Sequence, residues 1–254
     1  MMKLLSQLVV LTLFLTATLS EARTFEEIKK DGKFIVATEG GFPPFNFYQG
    51  PKLTGFEVEI AEALAKKMGV KIEWRALAFD ALLAGLRQDR WDMVIASFGI
   101  TPQRSKAVSF TDPHYCSGGV VVAKDPAVRT AQDLSGKVVA VQTGTTYLES
   151  VQKLPGVKEV KNFPKDTDAR AALMSGRVDA WVTDKFVAKA ALESGASAGL
   201  KLGDFVFIEQ IAPAVKKGNT SLVEAINKAL QEIMADGTYE AISKKYLKED
   251  VRCR

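Results

Sequence analysis

Ser97-Phe98-Gly99-Ile100-Thr101-Pro102-Gln103-Arg104 follows the apolar run Met93 to Ala96, which reads as a buried strand. Thr101 offers a hydroxyl N-cap and Pro102 suits the first helical position, so a helix begins here. Arg104 then falls about one turn in. The segment joins a strand end, unpaired backbone donors at a helix start and a guanidinium. All three suit a small carboxylate. On this spacing alone, a connection carrying a solvated arginine fits equally well, and the rest of the chain has to decide.

Upstream, Lys33 to Thr38 and Val70 to Trp74 read as strands, and Phe79 to Leu86 as a helix. Gly55 to Gly69 is amphipathic, with Val58, Ala61, Ala65 and Met68 on one stripe and a C-terminal glycine. Glycines and prolines interrupt Glu39-Gly-Gly-Phe-Pro-Pro-Phe45, which predicts a loop without regular structure. Downstream, Gly118 to Ala123, Lys137 to Val141, Val157 to Phe163 and Asp179 to Thr183 read as strands. Helices are expected from Thr145, over Thr167 to Ser175, and after Asp184 as cap. Short strands Phe205–Ile208 and Ile211–Val215 and helices Thr220–Ala235 and Thr238–Tyr246 complete the chain. Alternation of this kind implies an α/β fold with mainly parallel sheets covered by helices.

One internal echo stands out. A helix from Leu82, then Arg90-Trp-Asp92 and an apolar strand, is matched by a helix from Ala171, then Arg177-Val-Asp179 and an apolar strand. Two α/β lobes of similar local topology would give this. Ligands of open α/β sheets lie beyond the carboxyl ends of the strands. Glu39–Phe45, Ser97–Arg104, Gln142–Thr146 and Thr183–Asp184 all fall there.

The 254 residues include 34 Lys and Arg against 30 Asp and Glu, a formal charge of +4 with no basic block, which argues against nucleic-acid binding. Met1-Met2-Lys3, an apolar run from Leu4 to Leu19 and Ser20-Glu21-Ala22 form an expected secretory signal peptide over 1–22, cut after Ala22. Export across the inner membrane makes Cys116 and Cys253 a candidate disulfide, subject to a distance that sequence does not give.

The single histidine, His114, rules out a multi-histidine zinc site, so no metal is expected. Nucleophile elbow, phosphate-cradling loop and dinucleotide fingerprint are all missing, so no cofactor is expected. Asp179 and Asp184 have the spacing of an acid/base pair, but Asp179 reads better as a structural cap or partner. His114 reads as a loop or hinge residue.

Several stretches together resemble one family, the periplasmic polar amino-acid-binding proteins of ABC importers (bacterial extracellular solute-binding protein family 3). They are Glu39-Gly-Gly-Phe-Pro-Pro-Phe-Asn-Phe47, Leu53-Thr-Gly-Phe-Glu-Val-Glu-Ile-Ala61 and Phe79-Asp-Ala-Leu-Leu-Ala-Gly-Leu86. Next come Ile100-Thr-Pro-Gln-Arg-Ser105 and Val108-Ser-Phe-Thr-Asp-Pro-His-Tyr115. The second half adds Val141-Gln-Thr-Gly-Thr-Thr146, Gly176-Arg-Val-Asp-Ala180 and Asp236-Gly-Thr-Tyr239. In this order they cover nearly the whole mature chain.

The resemblance implies a type II periplasmic binding protein fold, two α/β lobes joined by two hinge strands that cross near Cys116–Val121 and Val206–Pro213. Residues 23–116 and 211–254 would form lobe 1 and 117–210 lobe 2. It implies that Arg104 holds the ligand α-carboxylate with Thr146, that Asp184 pairs with the α-ammonium, and that Phe42 and Phe79 wall the side chain. Ser97 and Gly99 would offer a carbonyl and an amide, with Gly99 departing from the usual serine or threonine. Gln142 and Glu39 would set side-chain choice. Glu39 accepts only, which favours a basic or amide side chain over an acidic one. The implied protein is not an enzyme. It is a monomer of the periplasm or cell surface that binds a free L-amino acid, closes its lobes and serves a membrane ABC permease. The competing reading is a cyclohexadienyl-dehydratase-like enzyme on the same scaffold, with Asp184, Glu39 or His114 as its acid.

Overall fold

The computed structural model describes residues 22–195 and 199–253; the expected leader up to Glu21 lies outside them. The chain begins with α1 (Phe25–Asp31), β1 (Lys33–Thr38), β2 (Gly41–Phe42), β3 (Asn46–Gln49), β4 (Lys52–Thr54) and α2 (Phe56–Met68). Then come β5 (Lys71–Ala76), α3 (Phe79–Arg87), β6 (Met93–Val94), α4 (Pro102–Ala107), β7 (Val108–Phe110) and β8 (Tyr115–Ala123). The middle of the chain forms β9 (Val138–Gln142), α5 (Thr146–Gln152), β10 (Glu159–Phe163), α6 (Asp166–Met174), β11 (Ala180–Asp184) and α7 (Lys185–Glu193). It closes with β12 (Lys201–Ile211), β13 (Ala214–Lys216), α8 (Thr220–Ala235) and α9 (Thr238–Leu247).

Two five-stranded sheets carry the two lobes, in the orders β5-β1-β6-β13-β7 and β10-β9-β11-β8-β12. In each, four strands run in one direction and one, β13 or β8, runs against them, so two pairings are parallel and two antiparallel. The expected mainly parallel strand direction holds, with one reversed strand in each sheet. β8 and β12 run in opposite directions because one leaves the first lobe and the other returns to it. They pair from Tyr115↔Ile211 to Lys201↔Ala123.

β1 shows why the first sheet is buried on both faces. Successive side chains of a strand point to opposite sides. Phe34 and Val36 enter a core with Ile60 and Leu64 of α2 and Leu222 and Ile226 of α8. Ala37 enters a second core with Leu82, Leu86, Trp91 and Val94, under α3. In the other sheet Val139, Val141 and Val182 have no exposed surface.

The sequence echo corresponds to one hydrogen-bonding device used in both lobes. Asp92 donates its amide to Ile35 O and accepts from Ile35 N at 2.8 Å. Asp179 donates its amide to Val138 O and accepts from Val138 N at 2.7 Å. Each aspartate thus anchors the strand after its helix to the start of the lobe's first parallel strand.

Two expectations fail. Glu39–Phe45 contains β2, which pairs with β3 through Gly41↔Phe47 and Phe42↔Asn46. The cis Pro43–Pro44 bond lies in the turn between them. Strands expected at Phe205–Ile208 and Ile211–Val215 are instead one strand to Ile211 and a separate one from Ala214. β12 is an outer strand and half exposed, so its charged residues and Gly203 hide its strand character from an apolar-run reading.

Cys116 and Cys253 are bonded, with Cα atoms 4.9 Å apart. Cys116 N also donates to Val251 O, so the C-terminal segment is fastened to the start of the hinge.

Candidate functional site

The strand ends of both lobes meet in one cleft. Glu39, Phe42, Phe79, Ser97 and Arg104 line it from one side, and Gln142 and Thr146 from the other. Thr101 caps α4 by accepting from Arg104 N at 3.1 Å, and this sets the direction of the arginine. Arg104 is nearly buried; its guanidinium carbon stands 5.0 Å from the centre of the Phe98 ring, which itself stacks on Phe79. Nη1 donates to Gly99 O and Nη2 to Gly144 O, both at 2.9 Å. The arginine therefore bridges the lobes. Burial lowers its pKa, opposed mainly by the charge of Glu209.

Ser97 lies at φ 55°, a left-handed conformation unusual for a residue with a side chain. Glu57 stabilises it. This fully buried acid accepts from Ser97 N at 2.7 Å and from His114 Nε2 at 3.0 Å on one oxygen. The other oxygen accepts from Asn46 Nδ2 at 2.7 Å and Ser97 Oγ at 3.1 Å. Asn46 Oδ1 in turn receives Gly40 N at 2.9 Å, and Tyr239 donates its hydroxyl to His114 O. One carboxylate thus fixes both first-lobe loops that reach the cleft.

In the second lobe, Thr145 caps α5 and places Thr146 at its first turn. Gln142 ends β9 and donates Nε2 to Glu39 Oε1 at 2.8 Å, a second bridge between lobes. Burial pushes the Glu39 carboxyl up to about 7, against the pull of that hydrogen bond. Asp184 ends β11 and caps α7 through Phe186 N at 2.7 Å. It is fully buried, and its second oxygen has no hydrogen-bond partner. Burial raises its pKa to about 7.

Of the nine residues singled out from the sequence, seven line the cleft directly. Gly99 contributes its carbonyl to Arg104 behind that lining, and Asp184 lies deeper, at the strand end. Sequence reasoning missed Glu57, Asn46 and Glu209. Glu57 sits on the buried stripe of an amphipathic helix, where an acid is out of pattern, and that was its one visible signal. Glu209 is an acid in a strand with no motif around it. Among the described residues, no group of three or more His, Cys, Asp or Glu is placed to hold a metal ion.

The profile of the bacterial extracellular solute-binding proteins, family 3, matches residues 34–249. The L-cystine-binding protein TcyJ of Escherichia coli (strain K12) is 36% identical over 231 residues, covering 89% of this chain and 86% of TcyJ. An ancestral arginine-binding protein bound to arginine is similar in structure, with TM-score 0.81 and 41% identity, over 85% of this chain and 98% of that one. An ancestral arginine-binding protein bound to glutamine matches with TM-score 0.81 and 42% identity, over 86% and 99% of the two chains. This chain belongs to the bacterial extracellular solute-binding proteins of family 3.

Proposed function

We propose that the protein binds a free L-amino acid with a basic or amide side chain and presents it to a membrane ABC permease. The observation that carries this is a cleft lined by a buried arginine of one lobe that reaches across to the other, whose buried, half-partnered aspartate lies deeper at a strand end. An amino-acid zwitterion taken out of water needs both charges paired, since an unpaired buried charge costs several kcal/mol. Arg104 has five donors, and two carbonyls use only part of them. The rest suit a carboxylate, with Thr146 beside it, while Asp184 suits the ammonium. Only the closed arrangement serves both ends, so ligand shifts the population towards closure.

The side-chain preference rests on Glu39. It faces the cleft as a half-buried acceptor held by Gln142, which repels a carboxylate and welcomes an ammonium, guanidinium or amide. The ligands named for the two ancestral structures, arginine and glutamine, are of these types. Residues 23–116 with 211–254 serve as one lobe and 117–210 as the other, working as a monomer in the periplasm or at the cell surface. No helix among the described residues is long and apolar enough to cross a membrane.

Calorimetric titration against the twenty amino acids tests the reading. Arginine, lysine or glutamine is expected to bind at micromolar Kd or better, about −8 kcal/mol. Tight glutamate binding with no response to those three would overturn the side-chain assignment. Turnover of prephenate or arogenate would instead favour the dehydratase-like enzyme.

A further inference from the structure

Glu209 lies on hinge strand β12, opposite Ser117 of β8. Both of its carboxylate oxygens are sealed from solvent and neither accepts a hydrogen bond of good geometry, the Thr146 hydroxyl being the side-chain donor that acts on them. A buried acceptor left in this way is costly unless another group supplies donors. Its position is set by residue 99. A Cβ placed on Gly99 would stand 1.8 Å from Glu209 Oε2 and 3.3 Å from Thr146 Cγ2. The Glu209 carboxylate therefore occupies the volume that a serine or threonine at position 99 would fill. A side chain at 99 and this placement of Glu209 exclude each other.

The charged and titratable groups that face Glu209 come from three elements. Arg104 lies on α4, Asp184 at the end of β11, and Tyr147 and Glu149 on α5. Arg104 attracts the carboxylate; Asp184 and Glu149 repel it. Burial is the largest influence and raises the Glu209 pKa to about 7, with Thr146 and Arg104 opposing. An acid that feels both a guanidinium and a second acid suits the region where the two ends of a zwitterion would lie.

We infer that Glu209, its carboxylate lying in the volume that Gly99 leaves free, is a ligand-binding residue that receives the α-ammonium of the bound amino acid jointly with Asp184. This rests on the amino-acid reading above. An ammonium carries three donors, and Asp184 Oδ2 and the two Glu209 oxygens are buried carboxylate acceptors without partners. The arrangement makes a free amino group a requirement of the site, and its arrival favours release of protons held by the two acids.

The test uses the amino acid that binds best in the panel, titrated in phosphate and in Tris so that proton release is read from the difference in heat. Glu209→Gln, which keeps the shape, is expected to lose about tenfold to a hundredfold in affinity and to release fewer protons. Its ligand-free melting temperature should not fall, since an unpartnered acid has been removed. Gly99→Ser should weaken binding sharply through the collision with Glu209, and Gly99→Ser/Glu209→Ala should bind better than Gly99→Ser alone. Glu209→Gln binding as the wild type does, or more tightly, overturns the assignment; tighter binding would mean that Glu209 competes with the ligand for Arg104. A wild type that binds none of the twenty amino acids overturns the amino-acid reading itself, and this assignment with it.

Discussion

Glu57 and Asp184 are both acids without exposed surface, one in each lobe. Glu57 receives four donors and Asp184 one. Buried acids of the first kind hold a scaffold together. On the proposed function, those of the second are held by the scaffold for a cation that arrives later. The division follows the hinge. On the first-lobe side, the Cys116–Cys253 bond, the Tyr239–His114 contact and the Glu57 cluster fasten the strand entry. On the second-lobe side, Asp184 and Glu209 have buried oxygens that accept no hydrogen bond of good geometry. On the proposed function, the cleft is built around a fully partnered carboxylate and completed by the ligand at unpartnered ones.

The largest expected effect tests the fastened side. The disulfide closes a loop of 137 residues in the unfolded chain. On the loop-entropy estimate, replacing both cysteines by serine lowers stability by about 5 kcal/mol. Chemical denaturation of the two proteins measures it. Affinity for the amino acid should change far less, because neither cysteine reaches the cleft. A large loss of affinity at intact fold would show that the hinge entry and the site are not separable.

The next effect sets the two acids side by side. Glu57→Gln replaces an acceptor of four donors by a group with donors of its own, and loses ~3–5 kcal/mol of stability. Asp184→Asn keeps the bond from Phe186 N, so the ligand-free protein should be no less stable at pH 8. Its amino-acid affinity should fall about a hundredfold, the weight of a buried charge-assisted hydrogen bond. Melting curves with and without ligand separate the two outcomes. If both variants lose stability alike, the contrast between scaffold acid and waiting acid is wrong.

The same contrast explains what sequence could reveal. Thr101, Pro102 and Arg104 act within one helical turn, so their spacing shows both the cap and the direction of the guanidinium. The Asp92 and Asp179 devices each follow a helix at the same interval, so the echo was legible before its hydrogen bonds were known. Glu57 and Ser97 are 40 positions apart, and their contact depends on how α2 packs beside β6. Glu209 and Gly99 are further apart still and meet only because β12 returns across the hinge. The strand β12 itself was misread for the same reason: its pairing with β8 is a long-range fact, while its local composition is mixed. Local chemistry shows in spacing, and partners brought together by the return of the chain do not.

The smallest effect is a dependence on pH, and it sharpens the account of the waiting acids. Glu39, Asp184 and Glu209 are raised to about 7 and Asp166 to about 6, in each case chiefly by burial. Unfolded, these carboxyls titrate near 4. Between about pH 4 and 7 the folded ligand-free protein therefore holds protons that the unfolded chain has released. Such groups stabilise the fold below the unfolded pKa, and that contribution is lost as pH rises through the folded value. The ligand-free melting temperature should accordingly decline from pH 5 to pH 8. An arriving ammonium favours the ionised form of Asp184 and Glu209, so the melting temperature gained on adding ligand should grow over the same interval. Each proton released on binding corresponds to about a tenfold gain in affinity per pH unit. Scanning fluorimetry at pH 5, 6, 7 and 8, with and without the amino acid, reads both trends. Asp184→Asn should flatten them, because it removes one of the protons from both states. A wild type whose ligand-induced gain is the same at every pH would mean that the acids are already ionised before the ligand comes, and that Arg104 alone neutralises them.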